Sequence, residues 1–352
     1  MLRNKQEQHA GDYSTNVQAG NDVNLHQNNY GLSYREVKEV ALDVFEVNFS
    51  KLSLAAQKVA KERAEEITTA FLSQLQKKNP EALETMKEPD MQYALLMAQK
   101  EYARTGDENL SEVLVDILVE RSKIQERSLM QVVLNESLEV VPKLTNGQLN
   151  ILSLIFIIKY TINNNVRSID SLKTYLKNWI APYMDGLTKR HSHYQHLEYT
   201  GCGTVGIGET HIITVFTSNY GGLFSKGFSL EQFNDDFNED SPARNLLFPC
   251  LHDSSLFQMN AINEQVLKEH YTPLSLKEEQ NLRIGALHSK SLMSEEEIWN
   301  FLVGLCPEIN DLLDIWSDSS IKNMTLTSVG VALAHANIRR KTNEELDLSN
   351  WI

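Results

Sequence analysis

The stretch LSYREVKEVALDVFEVNFSKL, residues 32–52, decides the fold class, because its apolar residues recur at the spacing of a buried helix face. That face consists of Val37, Val40, Ala41, Val44, Phe45 and Leu52. Ser33 and Glu36 form an S-x-x-E capping box, in which the two residues satisfy each other's free N–H groups at a helix start. The stretch therefore predicts an amphipathic helix that begins near residue 33.

Residues 1–31 form a polar leader that runs directly into this helix, and its segment GDYSTNVQAGNDVNLHQNNYG is rich in Asn and Gln. Apolar residues follow the two-residue period of a strand on both sides of a turn-forming Gly-Asn-Asp. They are Val17, Ala19, Val23 and Leu25. An isolated hairpin is marginal in water, whereas hairpins from several chains can stack through ladders of Asn and Gln side chains.

Two interpretations of the leader remain open. The first is a disordered N-terminal tail, which is common at the ends of protein chains. The second is a hairpin for self-association or docking, because stacked copies would bury the apolar residues that a single hairpin leaves in water. The residues predicted to make the self-association contacts are Val17, Gln18, Gly20, Val23 and Leu25.

Helical patterns continue through residues 32–190, which we interpret as a helical body. Its boundary signals are a cap at Asp90, a stop at Gly106 and a second capping box at Thr145 and Gln148. The run Leu149–Ile158 is apolar on all sides, which is typical of a helix that is buried on all sides. It is about half as long as a membrane span. We predict that this run is the centre of the helical body.

Two further segments follow the helical body. Residues 191–285 are rich in glycine and predict a mixed region of turns and short helices, with an inserted β-hairpin as the alternative. Residues 286–352 predict two helices, a strand at Ile321–Leu326 and a last helix that begins at Thr327, an order typical of a winged helix. The predicted fold is therefore mainly α: a multi-helix bundle with a short N-terminal β-like tag and a small C-terminal winged-helix-like module.

Charge and cysteine content restrict the binding partners and the cellular compartment that we expect for the protein. The chain has 352 residues and a formal net charge of −14, which disfavours binding to nucleic acid unless a local patch reverses the charge. Its three cysteines are widely separated and odd in number, which favours a reducing compartment over a disulfide framework. The polar start of the sequence has no signal-peptide pattern. We therefore expect a cytoplasmic protein without a membrane span.

The strongest candidate for a metal-binding or catalytic site is the group His191, His193 and His196, with Glu198 and Cys202 nearby. Imidazole, carboxylate and thiolate are zinc ligands, so a metal-dependent hydrolase is one interpretation of this region. The spacing matches no standard zinc motif and includes no CxxC pair. Ordinary surface histidines fit the pattern better, so the sequence predicts no metal, no cofactor and no catalytic residue.

A small basic patch raises the alternative of a DNA-binding regulator that uses residues 290–341. Arg339, Arg340 and Lys341 lie near the end of the predicted last helix. Cations are favourable at the C-terminus of any helix because they complement its dipole. The preceding stretch LTSVGVALAHANI also offers few side chains that read bases. A structural or protein-docking module is the stronger expectation.

Several runs resemble an uncharacterised family of bacterial proteins that are named by locus tag. They are GLSYREVKEVALDVFEVNF, AQKEYARTGDENL, NYGGLFSKGF and LTSVGVALAHANIRR, and the resemblance covers nearly the whole chain. It implies a cytoplasmic protein of bacterial conflict and phage defence but carries no mechanism. Together with the leader, it predicts a non-enzymatic sensor or adaptor that forms a homo-oligomer or docks a protein partner.

Overall fold

The computed structural model describes residues 33–49, 53–342, 344 and 346–352. The polar leader lies outside the described residues. The same is true of every residue predicted to serve self-association, namely Val17, Gln18, Gly20, Val23 and Leu25. Their role therefore stays a prediction.

The described chain is mainly α-helical, as the sequence predicts. Helices of the first half are α1 (Tyr34–Phe49), α2 (Leu54–Lys78), α3 (Pro89–Thr105), α4 (Glu108–Ser122), α5 (Leu129–Val140), α6 (Asn146–Tyr160) and α7 (Ile169–Tyr175). Those of the second half are α8 (His191–Tyr199), α9 (Ile212–Tyr220), α10 (Leu230–Asp236), α11 (Glu264–Tyr271), α12 (Glu278–Ser291), α13 (Glu295–Leu305), α14 (Ile309–Ser317) and α15 (Ser328–Thr342). A π-helical segment, Leu176–Ile180, extends α7. Short 3-10 helices lie at Pro80–Lys87, Val141–Lys143, Ala181–Tyr183, Gly221–Phe224, Pro242–Leu246, Thr272–Leu274, Ser320–Asn323 and Leu348–Asn350.

Two antiparallel strand pairs complete the described fold. Strands β1 (Gly203–Val205) and β4 (Met324–Leu326) pair with Gly203 opposite Leu326. Strands β2 (Leu247–Pro249) and β3 (Phe257–Met259) pair across a short connection. The strand predicted at Ile321–Leu326 is therefore present over its second half. It joins the glycine-rich region to the C-terminal region.

Local sequence signals fix most of the helix ends. The predicted capping boxes of α1 and α6 are both present in the structure. Gly106 ends α3 with φ +64°, a left-handed conformation that glycine adopts without strain. The predicted cap at Asp90 is wrong, because α3 starts at Pro89 with Glu88 before it, and the Asp90 carboxylate pairs with Arg121 instead.

Helices α6 and α15 lie at the centre of the main hydrophobic cluster, which we call the large core. Every residue from Gln148 to Ile158 of α6 is buried, as predicted for a helix that is apolar on all sides. Every residue from Val329 to Arg339 of α15 is buried as well, because α15 packs against α4, α5 and α6. The C-terminal helix is thus inserted between helices of the first half of the chain.

A second cluster, which we call the small core, forms between α10, α12 and the β2–β3 pair. Its buried members are Phe228, Phe233, Phe237, Ala243, Leu246, Met259, Ala261, Leu267, Ile284 and Leu287. The ring centroids of Phe233 and Phe237 are 4.8 Å apart and stacked. The predicted division at residues 31, 190 and 285 stays a prediction, and both the β1–β4 pair and the large core cross it.

No helix among the described residues is long and apolar enough to span a membrane.

Candidate functional site

The histidine group predicted as a possible metal site is spread along α8 and its flanks, and most of its members have separate partners. The exception is His193, whose Nδ1 is buried without a hydrogen-bond partner among the described residues. His191 Nδ1 lies 2.9 Å from Ser320 Oγ, and His196 Nδ1 lies 2.9 Å from Gln148 Nε2. Glu198 accepts a hydrogen bond from the backbone N–H of Val205 at 3.1 Å. In the part of the chain that the structure describes, no three His, Cys, Asp or Glu side chains are placed to hold a metal ion.

Cys202, the thiol of that group, is fully buried at the start of β1. Burial raises the pKa of the thiol above its ordinary value, because desolvation disfavours the thiolate. The Sγ lies 3.4 Å from Thr200 Oγ1 and has no histidine partner among its described contacts. A raised pKa and the absence of a base are unfavourable for a nucleophile. The environment of Cys202 is that of a core residue.

The basic patch at the end of α15 is occupied by contacts within the protein. Arg339 is buried and donates from Nε to the Asp116 carboxylate at 2.6 Å, while Nη1 contacts Glu120. Lys341 donates to the backbone oxygen of Pro182 at 2.7 Å, and its ammonium lies over the Tyr183 ring. The side chain of Arg340 bonds to the carboxylate of Glu112. The DNA-binding interpretation therefore loses the cations on which it depends.

The Arg339–Asp116 pair is a buried ion pair of the large core. Burial raises the pKa of Asp116 from 3.8 to about 6, against the opposing effect of the Arg339 guanidinium. Neither Asp116 Oδ2 nor Arg339 Nη2 has a hydrogen-bond partner among the described residues. Arg339 also lines an open pocket beside residues 346–349, whereas Asp116 does not, so the raised pKa of Asp116 reflects its burial between α4 and α15.

Exposed apolar side chains are prominent on the helical hairpin α1–α2, which directly follows the leader. Val47 on α1 is 78% exposed and Leu54 on α2 is 85% exposed. Val40 lies two turns before Val47 on the same side of α1 and is also exposed. We call Val40, Val47 and Leu54 the N-terminal apolar residues. Ion pairs Lys38–Glu65 and Lys61–Glu46 hold α1 on α2, so these exposed residues sit on a fixed support.

An open cleft of about 530 Å³ lies between the large core and the small core. Its walls come from the loop between α6 and α7, the end of α9, the β2–β3 pair and the first turns of α11. This size falls within the range of small-molecule sites, and such sites often occur between structural units. It is therefore a candidate site for ligand binding.

The floor of this cleft is fixed by backbone contacts around Gly222. The Gly222 N–H donates to the Ile262 carbonyl at 2.8 Å, and its own carbonyl accepts from Gln258 Nε2 at 2.9 Å. A Cβ atom at this position would lie 2.2 Å from the Ala261 carbonyl oxygen. Glycine is therefore required where the two cores meet, because the backbones approach too closely for any side chain.

The polar lining of the cleft combines one guanidinium with several amides. Arg167 is exposed there and donates from Nε to the Asn164 carbonyl at 2.9 Å. His270 Nδ1 lies 2.8 Å from the Asn260 carbonyl. None of the described residues that line the cleft is Asp or Glu. The sequence analysis missed this site, although the run NNNVR before α7 and the run NYGG at the end of α9 contain some of its amides and its glycine.

A model of an uncharacterised family named by locus tag matches residues 31–352, which is most of the chain. No curated protein and no solved structure shows significant similarity to the chain. The family match agrees with the resemblance inferred from the sequence.

Proposed function

For this chain, which belongs to that locus-tag family, we propose the role of a non-enzymatic sensor or adaptor of the bacterial cytoplasm. It assembles with further copies of itself through its N-terminal end, in the setting of antiphage defence that the sequence resemblance suggests. The assembling parts are the polar leader and the N-terminal apolar residues Val40, Val47 and Leu54.

The exposure of apolar side chains next to the leader carries this proposal. Val47 and Leu54 remain largely in water although α1 and α2 both pack against α3. Exposed apolar surface on a rigid support favours contact with another protein surface. The leader joins α1 at Ser33, the residue that caps this helix. A leader that stacks with other leaders would bring the apolar residues of several copies close together.

The positions of the ionisable groups support a role other than catalysis. Most groups singled out from the sequence have a structural contact, either on α8 or at the end of α15, whereas the buried Nδ1 of His193 has no partner among the described residues. A catalytic site instead requires a base, a nucleophile or a metal that converge on one cavity. We therefore favour assembly over the metal-dependent hydrolase and the DNA-binding regulator.

Light scattering of the purified full chain over a range of concentrations tests the proposal. We expect an oligomer for the wild type and a monomer for the double variant Val17→Asp/Val23→Asp, because stacked strands cannot bury unpaired carboxylates. Val47→Asp should weaken self-association roughly tenfold or more, since the charge would enter an apolar contact.

Leu282→Asp is the matched control, because Leu282 is 70% exposed on α12, outside the N-terminal hairpin. It should leave the oligomer unchanged. A wild-type protein that stays monomeric at every concentration would contradict the proposal. The proposal would also fail if both leader and control variants kept the wild-type size.

A further inference from the structure

We propose that the cleft between the large core and the small core binds a nucleoside phosphate. Arg167 would hold the phosphate, the free amides of the cleft would bind the edge of the base, and Phe248 would contact its face. The inference deepens the proposed sensor role and rests on it for its biological meaning. The binding itself can be measured separately.

The charge of the cleft selects an anion. The chain carries a net charge of −14, yet no carboxylate is found among the described residues that line the cleft. Arg167 has no ion-pair partner in the described part of the chain, and its contact to Asn164 uses Nε alone. The nearby carboxylate of Glu264 is paired with Lys268 at 2.8 Å. A guanidinium that is free to bind through its outer nitrogens is suited to phosphate.

The amides of the cleft fall into two groups. Gln258 and Asn263 use both ends of their side chains to hold the local backbone. Asn164, Asn219 and Asn260 contribute backbone oxygens to local hydrogen bonds, while their side-chain amides have no bond among the described residues. An amide offers a donor and an acceptor side by side, which is the pattern that pairs with the edge of a nucleobase.

An apolar surface is present on the same cleft. Phe248 on β2 is 41% exposed and lines the cleft together with Ile162 and Leu251, both of which are exposed as well. A large, partly exposed ring that lines the same cleft as a cation and unpaired amides is suited to stacking on a flat base. A simple inorganic anion would use Arg167 but would leave this apolar wall without a partner.

Titration calorimetry of the full chain with the four nucleoside monophosphates AMP, GMP, CMP and UMP tests the inference. At least one is expected to bind. The matching nucleoside and inorganic phosphate should each bind at least about tenfold more weakly, because each makes only part of the contacts. Arg167→Gln should weaken the nucleotide about tenfold or more and leave the nucleoside unchanged. Phe248→Ala should weaken both.

Arg127→Gln is the matched control, because Arg127 is an exposed arginine between α4 and α5 and does not line the cleft. It should bind the nucleotide like the wild type. Failure of all four nucleotides to bind at millimolar concentration would overturn the inference. Equal nucleotide affinity of the wild type and Arg167→Gln would also overturn it.

The two proposals can fail independently in these experiments. A wild-type monomer that binds a nucleotide through Arg167 would remove the assembly role and keep the ligand site. An oligomer that binds none of the four nucleotides would remove the ligand site and keep the assembly role. Light scattering and calorimetry on the same preparation therefore separate the two outcomes.

Discussion

The large core buries an ion pair together with its aromatic rings, whereas the small core is built around three phenylalanines and has no buried ion pair among the described residues. In the large core, α15 brings Arg339 onto Asp116 of α4, and Asn337 donates to Ser153 of α6 at 2.8 Å. In the small core, Phe228, Phe233 and Phe237 stack in a row, and the buried polar side chain of His288 follows Leu287 on α12.

The difference follows from the size of the two clusters. A large core supplies enough apolar contact to offset the desolvation of a buried ion pair, and paired polar groups then fix which helix faces meet. A small core has no such surplus and depends on rings, which bury the largest area per residue. Polar contacts are concentrated instead at its edge, where Gly222 and Gln258 connect it to the large core.

Removal of the buried guanidinium should have the largest effect. Arg339→Met leaves the Asp116 carboxylate without its partner inside the large core, so the free energy of unfolding at pH 7 should fall by about 3–5 kcal/mol. Urea unfolding measures this change. Arg35→Met on the exposed surface of α1 is the control and should change the stability by less than about 0.5 kcal/mol. Equal losses for the two variants would show that the large core does not depend on the pair.

The dependence of stability on pH tests the burial of Asp116 directly, and we expect a smaller effect than that of Arg339→Met. The folded pKa of Asp116, about 6, lies above its ordinary value of 3.8, so the folded protein binds this proton more tightly than the unfolded chain. This tighter proton binding adds to the free energy of unfolding in full below pH 3.8, and the added stability is lost as the pH rises through 6. Relative to Asp116→Asn, the wild type should lose about 2–3 kcal/mol between pH 4 and pH 7. A difference that stays constant over this range would rule out the raised pKa.

The junction between the cores should respond more weakly. Gly222→Ala places a Cβ against the Ala261 carbonyl and should cost about 1–3 kcal/mol, with faster hydrogen exchange in the small core. Gly285→Ala on α12 is the control, because its Cβ would meet nothing within 4 Å. That variant should gain about 0.5–1 kcal/mol, since alanine favours a helix over glycine. The same exchange pattern in both variants would contradict a fixed junction.

Features that depend on neighbouring residues were predictable from the sequence. The capping boxes before α6 and α13 and the left-handed Gly106 follow from the chemistry of a few adjacent residues. The all-round burial of α6 was also predictable, because nearly every side chain between Leu149 and Ile158 is apolar.

Features that depend on long-range packing were not predictable in the same way. The apolar residues of α15 alone indicate one buried face, yet polar residues such as Asn337 and Arg339 are buried too, because their partners lie on α4 and α6. The cleft was missed because its lining residues come from loops far apart in the sequence, and loop residues carry no periodic pattern. The basic residues at the end of α15 can be read from the sequence. Their role in contacts within the protein depends on partners far away in the sequence, which the local pattern does not show.

The central position of α15 has a consequence for the way the protein is made. Arg339 and Asp116 are separated by 223 positions, so this contact cannot form until the ribosome has synthesised the segment that contains α15. Until then, α6 lacks the helix that covers part of its apolar surface, and contacts of such high sequence separation form slowly. The centre of the fold is therefore completed late, and the nascent chain exposes apolar surface while the intervening residues are made.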